Sequence, residues 1–291
     1  MVSIEKLSLF NIDKFREMYE EEEDSYLCDK GFFDIYDDES FLIKYIIRRQ
    51  VKLFKLNNQY AGYVWHEYPE NSVYCTIYGI NFKDEYLEYL TSDMLNTLKF
   101  NSIKLDIIQN NKNEVMMHNL GFEILYKSIV MNLDLNKTHI EEFQVPDDIE
   151  FKHFTRNKDE NLRCKVQNSI FRDKNRVPLK INDIFEEENE DYFIDEFCVF
   201  LCNSDKQVLG YGQIISTKNQ YTIVNFGILE EFRMHGYGEI LLRYLIELCR
   251  VNSIYDIYIR VEEGNYKALQ LYSKVGFTKC DCCVTWKKDF R

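Results

Sequence analysis

The chain is poor in proline, glycine, histidine and tryptophan: its 291 residues include only 3 Pro, 11 Gly, 5 His and 2 Trp. Collagen-like and Pro/Gly-rich linker compositions are thereby excluded, and each glycine becomes a position to inspect. No run approaches the roughly 20 apolar residues that a bilayer crossing requires. Met1-Val2-Ser3-Ile4-Glu5-Lys6 lacks the apolar stretch and cleavage pattern of a secretory leader. No period of about 20–50 residues marks a solenoid. Positive charge is in deficit, with 36 Lys and Arg against 49 Asp and Glu, a net charge of −13. Such a surface repels phosphate backbones, which argues against nucleic acid as a partner, and it suits a cationic substrate such as an amine. These absences predict a soluble, cytoplasmic protein with no membrane partner.

What is present is ordinary for a globular chain, with 45% hydrophobic and 29% charged residues, enough to build one large or two ordinary domains. The nine cysteines are odd in number and irregularly spaced, which predicts reduced thiols. Cys280, Cys282 and Cys283 cluster, but no second ligand pair stands at zinc-finger spacing, so no metal is expected.

The chain reads as two halves of similar design. The polar stretch Glu141-Glu142-Phe143-Gln144-Val145-Pro146-Asp147-Asp148 is the expected linker, giving domains at 1–140 and 149–291. Each half runs from an apolar segment (4–9; 149–154) into helical stretches (13–22; 158–171 and 181–191). Paired strand-like runs follow (51–56 and 60–67; 197–202 and 208–216), joined by Asn57-Asn58 and Asn203-Ser204-Asp205 as hairpin turns. Then come a strand (73–80; 221–229), a helix (85–99; 236–251), a strand (103–108; 254–261), a short helix (113–119; 266–274) and a closing strand (123–133; 279–287). Ala61-Gly62-Tyr63, Tyr78-Gly79-Ile80 and Asn119-Leu120-Gly121-Phe122 match Leu209-Gly210-Tyr211, Phe226-Gly227-Ile228 and Lys274-Val275-Gly276-Phe277 in the same order. That order predicts a tandem duplication; two unrelated α/β units sharing common turn residues would be the plainer account.

The sharpest motif is Arg233-Met234-His235-Gly236-Tyr237-Gly238, between a strand and a helix. Two glycines clear side chains from an anion's path, the helix offers unpaired N–H groups and its positive end, and Arg233 adds charge. A dinucleotide fingerprint would need glycine where Leu241 stands, and a Walker loop would need a G-K-[ST] that is missing. R-x-x-G-x-G resembles the acyl-CoA loop of the GNAT superfamily of N-acetyltransferases, although alone it also fits a plain strand–helix turn. The segment from Asn265 to Phe277, Asn-Tyr-Lys-Ala-Leu-Gln-Leu-Tyr-Ser-Lys-Val-Gly-Phe, is similar to that superfamily's N-x-x-A-x-x-L-Y-x-x-x-G-F signature. Ala268, Leu271, Tyr272 and Val275 fall on one helix face there. The resemblance covers 197–287 by motif and 149–196 by element order. It departs at Glu230, where the family often has proline.

The resemblance implies an α/β (α+β) fold of two tandem GNAT-like domains, each with a mixed, mostly antiparallel sheet, flanking helices and a splayed parallel strand pair. It implies acetyl-CoA as cosubstrate and a primary amine, of unidentified structure and expected to be a small molecule, as acceptor, attacking directly in a ternary complex. Phe226, Gly227 and Ile228 would line the pantetheine arm, and one strand N–H would polarise the thioester carbonyl. Arg233, Met234, His235, Gly236, Tyr237, Gly238 and Glu239 would cradle the pyrophosphate. Asn265 and Ala268 would border the arm, with Asn265 serving also or instead as a helix N-cap. Tyr272 would protonate the departing thiolate; its plainer role is core packing. Glu230, Glu231, Glu262 and Glu263 read as solvated charges rather than a general base. In the first half, Phe82–Leu90 carries no glycine, Met117 and Asn113 stand where Tyr272 and Ala268 do, and only Asn110 persists in the place of Asn265. That half reads as a degenerate copy. A non-catalytic acyl-CoA-binding regulator or scaffold is the alternative, and an aminoacyl-tRNA-dependent transferase, which also pairs such folds, suits the acidic charge poorly.

Overall fold

A computed structural model describes residues 2–20, 31–67, 74–98, 101–138, 143–172, 177–217 and 220–290. Cys28, the Glu141-Glu142 start of the expected linker, and the ends of the expected segments 13–22, 73–80 and 85–99 lie outside them. The chain forms two compact units, Met1–Ser128 with Asp281–Arg291, and Ile129–Cys280. These bounds differ from a division at 141–148: the first unit takes its last strand segment, and the second its first, from the far side of that boundary.

In the first unit the strand order is β1 (Val2–Lys6), β2 (Val51–Leu56), β3 (Gln59–Glu67), β4 (Tyr74–Phe82), β5 (Ser102–Ile108) and β12 (Thr278–Asp289). All neighbours are antiparallel except β4 and β5, which run parallel from Tyr74↔Ser102 to Thr76↔Lys104 and then part. The hairpin between β2 and β3 turns on Asn57 and Asn58, with φ of 49° and 67°, the left-handed pair that a two-residue turn demands. Helices α1 (Ile12–Glu20), α2 (Phe32–Tyr36), α3 (Phe41–Arg49) and α4 (Asn111–Asn119) complete the unit. The expected helix over 85–99 is replaced by two 3-10 segments, Asp84–Tyr89 and Ser92–Leu98, parted by Leu90 in an extended conformation (ψ 140°). Thr91-Ser92-Asp93 explains the break, because short polar side chains draw the backbone out of a helix. One core cluster is aromatic, with Phe15 edge-on to Phe32 at 4.8 Å and to Tyr63 at 5.0 Å. The other gathers Phe54, Phe82, Leu95 and Met117, and is completed by Val284 and Trp286 of β12.

In the second unit the order is β6 (Glu123–Asp134, of which the part from Ile129 belongs to this unit), β11 (Asp256–Glu262), β10 (Gln220–Ile228), β9 (Val208–Thr217), β8 (Cys198–Asn203) and β7 (Ile149–His153). Helices are α5 (Glu160–Ile170), α6 (Ile181–Glu187), α7 (Tyr237–Val251) and α8 (Tyr266–Val275). The apolar stripe of α7, Leu241, Leu242, Leu245, Ile246 and Cys249, is buried against the sheet, as a one-faced helix must be. Met131 and Leu133 of β6, with 3% and 0% exposure, close this core.

Corresponding joints are built alike. Asn110 caps α4 by accepting from the Asn113 N–H (2.7 Å), and Asn265 caps α8 by accepting from the Ala268 N–H (3.2 Å). Phe122 N–H donates to the Met117 carbonyl and Phe277 N–H to the Tyr272 carbonyl, each at 3.0 Å. Met117 thus occupies the helix position of Tyr272 and is wholly buried. Among the described residues no helix is long and apolar enough to cross a membrane, and no group of three or more His, Cys, Asp and Glu side chains could hold a metal.

Candidate active site

The second unit's central strands open where the motifs meet. β10 and β11 pair in parallel over only three positions, Tyr221↔Ile257 to Ile223↔Ile259. On its other side β10 follows β9 to Val224, slips, and resumes at Gly227↔Tyr211. The slip is a β-bulge centred on Asn225, whose φ of 50° is the left-handed conformation that asparagine tolerates better than most residues. Asn225 and Phe226 therefore have no ladder partner in either register, and the edge of β10 through Phe226, Gly227 and Ile228 faces the gap left by β11. Backbone groups so freed can pair with an extended amide-bearing ligand. Gly227 is required by close approach: a Cβ there would lie 2.3 Å from Ile170 Cγ2, at the end of α5.

The loop after β10 delivers the chain to α7. Met234 (φ 67°) and Gly236 (φ 84°) both take left-handed conformations. Gly236 is the N-cap of α7 and brings no side-chain cap, so the first N–H groups of the helix have no intrahelical acceptor. A Cβ built on Gly236 meets nothing within 4 Å, so the space before the helix is open. The geometry is that of an anion cradle made from backbone amides and a helix dipole. Met234 is 83% exposed; His235 Nδ1 lies 2.8 Å from the Arg233 carbonyl, and its ring stacks near Tyr237 at 5.9 Å. A Cβ built on Gly238 would lie 3.4 Å from Leu271 Cδ2 of the helix after β11.

Two charged residues that the sequence assigns to the cradle are occupied by the protein. Arg233 Nε donates to the Ile228 carbonyl (3.0 Å) and Nη2 to the Ile170 carbonyl (3.1 Å), so its side chain staples the loop to β10 and α5. Glu239 binds Lys274 (2.5 Å) and Arg243 (3.0 Å), and the Lys274 hydrogen bond holds its carboxyl below the usual range. Glu239 therefore ties α7 to α8, and its backbone N–H donates to the Gly236 carbonyl at 3.0 Å, so neither its side chain nor its amide is free for an anion.

Across the gap stands α8. Asn265 makes the N-cap described above, leaving Ala268 on the turn that follows. Tyr272 is 5% exposed, its ring 6.0 Å and edge-on to Phe226 and 6.2 Å from Phe277. Its hydroxyl has no hydrogen-bond partner among the described residues, and burial pushes the phenol well above its ordinary pKa, so it carries its proton at neutral pH. The structure thus brings Phe226 and Tyr272 together at the mouth of the splay.

A buried polar network underlies the bulge, and sequence reasoning missed it. Asn225 Nδ2 donates to Gln213 Oε1 (3.2 Å), which also accepts from Arg163 Nη2 (3.0 Å); Gln213 Nε2 and Arg163 bind the two oxygens of Glu187 (3.1 and 2.5 Å). Arg163 and Gln213 are both fully buried, with Phe193 below the guanidinium at 5.0 Å. An asparagine inside a strand-like run was the one available signal. Arg163→Ala should cost about 3–5 kcal/mol, because it leaves the Glu187 carboxylate without its cation; Arg163→Met, which refills the space, should cost less than Arg163→Ala. Urea unfolding of both variants measures the difference.

Comparison with known proteins follows the same outline. The sequence pattern of the Acetyltransferase (GNAT) family matches residues 166–277. An N-alpha-acetyltransferase of Sulfurisphaera tokodaii is 26% identical over 133 residues, which cover 39% of this chain and 79% of that protein. A GCN5-related N-acetyltransferase from Sphaerobacter thermophilus superposes with a TM-score of 0.67 at 14% identity, over 100% of this chain and 96% of that one. A tandem GNAT protein from the clavulanic acid biosynthesis pathway superposes with a TM-score of 0.60 at 12% identity, covering 82% of each chain.

Proposed function

We propose that this chain, whose residues 166–277 match the GNAT acetyltransferase pattern, is an N-acetyltransferase that moves acetyl from acetyl-CoA to a primary amine by direct attack in a ternary complex. The observation that carries this reading is the open edge of β10 at Phe226, whose ring lies 6.0 Å from that of Tyr272. In this reading the unpaired backbone at the bulge holds the pantetheine arm and polarises the thioester carbonyl. Backbone amide N–H groups of the loop from Arg233 to Gly238 and of the start of α7 receive the pyrophosphate. The neutral acceptor nitrogen attacks the carbonyl carbon, the tetrahedral intermediate collapses, and the C–S bond breaks as Tyr272 gives its proton to the leaving sulfur. The acceptor's own excess proton leaves to solvent, and solvent returns a proton to the Tyr272 phenolate, which restores the acid for the next turnover.

A small-molecule amine fits the acidic chain; the relatives named N-alpha-acetyltransferase make a protein N-terminal amine the second acceptor class to screen. The first unit carries Met117 at the position of Tyr272 and an acidic 3-10 turn, Asp84–Tyr89, in place of the glycine loop, so it is read as a copy without this chemistry. Calorimetric titration with acetyl-CoA should give about one equivalent bound. Gly236→Glu should abolish it, because the side chain enters the open space with like charge and the φ of 84° disfavours any Cβ. Absence of binding by the natural chain would remove the enzyme reading.

A further inference from the structure

An inverted helix marks the first unit. The outward arc of α3 is apolar: Phe41, Leu42, Tyr45 and Ile46 are 69%, 75%, 56% and 58% exposed, while Ile47 and Arg48 point inward. Beside it, the turn after β1 presents Leu9 at 58% and Phe10 at 102% exposure. That turn is fixed rather than loose: Asn11 is 8% exposed, accepts from the Ser8 N–H at 2.7 Å and donates to the Lys6 carbonyl at 3.2 Å. A cavity of about 360 Å³ separates the turn from the helix, with Leu9, Phe10, Tyr45 and Arg49 among its lining.

We propose that this face is a self-association surface, on which a second copy of the chain packs with its α3 antiparallel to the first about a two-fold axis. Three features point to another copy. The first is area. At roughly 150–200 Å² per large side chain, these exposures amount to roughly 630–840 Å². That exceeds the ~300–600 Å² apolar patch usual on a monomer and matches the ~800 Å² per partner of a standard interface.

The second is charge. The helix is preceded by Asp38 and Glu39 and ends at Arg49, beside Lys6 and Lys52. The cations crowd one another: burial first, then Lys6 and Arg49, hold the Lys52 ammonium below its usual pKa. Neither Lys6 nor Arg49 meets a carboxylate among the described residues, and neither Asp38 nor Glu39 meets a cation. Antiparallel helices about a two-fold axis set each acidic end against the partner's basic end, twice. Parallel packing would set like against like.

The third is shape. An isologous contact needs a knob and a hole on the same surface: Phe41 and Leu42 project from the first turn of α3, and the cavity is lined by Tyr45, Arg48 and Arg49 further along the same helix.

Sedimentation equilibrium and light scattering on the full chain should give a concentration-dependent mass rising to twice the 35.1 kDa of one chain. Leu42→Glu and, separately, Ile46→Lys should raise the dissociation constant by on the order of 30-fold or more, with unchanged far-ultraviolet circular dichroism. Glu39→Lys or Arg49→Glu alone should also weaken association, and the two combined in one chain should restore it. A natural chain monomeric at 100-fold concentrations above the micromolar range (~0.1 mM, well past a ~1 μM interface), or a dimer unmoved by both apolar variants, would overturn the proposal. Weakening by the charge variants without restoration in the double variant would overturn the antiparallel arrangement. Acetyl-CoA binding plays no part in these readouts.

Discussion

Tyr272→Phe is expected to lower kcat by roughly 10²–10⁴-fold while leaving the Kd for acetyl-CoA nearly unchanged. The substitution removes only the hydroxyl, which has no partner among the described residues, and keeps the ring that packs against Phe226 and Phe277. Nothing in the fold loses a contact, so stability should hold. In the proposed reaction, what is lost is the acid that would meet the developing thiolate, an interaction made only as the C–S bond breaks. Such a loss lowers kcat and kcat/KM together. The pH dependence has a definite sign. Burial raises the phenol above about 10, its ordinary value, so its acid form persists through the mildly alkaline range. Tyr272 should therefore impose no decline in kcat between pH 7 and about 10. Thiol release in stopped assays, with an amine found by the acceptor screen, measures both effects. An undiminished kcat in the phenylalanine variant would assign the proton to solvent.

The second large effect concerns where the chain can be cut. A fragment of residues 149–291 should fail to fold, whereas 129–280 should fold and bind acetyl-CoA. The shorter-looking choice follows the polar stretch in the sequence, but it discards Met131 and Leu133, whose side chains close the core of the second unit. Burying each contributes about 1.5–3 kcal/mol, a large share of the about 5–15 kcal/mol that holds a domain together. It also discards the Leu135 N–H to Tyr255 carbonyl bond (2.7 Å) and the Asn132 contact with Asp256 (2.5 Å), which seat β6 beside β11. The same fragment retains Val284 and Trp286, now with no first-unit core to enter. Heteronuclear NMR dispersion and calorimetric titration of the two fragments distinguish the divisions: a folded, ligand-binding 149–291 would favour the sequence boundary.

The sequence made the local elements legible because its punctuation is chemical. Asn57-Asn58 requires a hairpin, Asn265 with Gly276 brackets α8, and the glycines of 236–238 mark a strand-to-helix loop; each appears where those residues place it. What could not be read is non-local. The register that sends Cys283–Asp289 to pair with Ile108–Ser102 depends on which sheet edge is free, and no alternation of apolar residues within β12 names its partner. Arg233 was legible as a charge near the loop, but not as a staple, because the carbonyls of Ile228 and Ile170 that it binds have no sequence signature. Arg163 and Gln213 read as ordinary polar residues until the fold buries them together under Asn225. The helix over 85–99 failed for the converse reason: its apolar spacing was adequate, but Thr91-Ser92-Asp93 is a run of weak helix formers at the point where Leu90 turns extended.

The placement of β12 also bears on how the protein is made. A ribosome finishes the first unit's own continuous segment at Ser128, but the strand that covers β5 lies at residues 281–291. At ~5–20 residues per second, the intervening synthesis of about 160 residues takes ~10–30 s. For that interval the nascent first unit holds β5 as an open edge, with the sites of Val284 and Trp286 unfilled. The two units are therefore expected to mature together at the end of translation, and a chaperone that shields strand edges should raise the yield of folded chain more than one that acts after release.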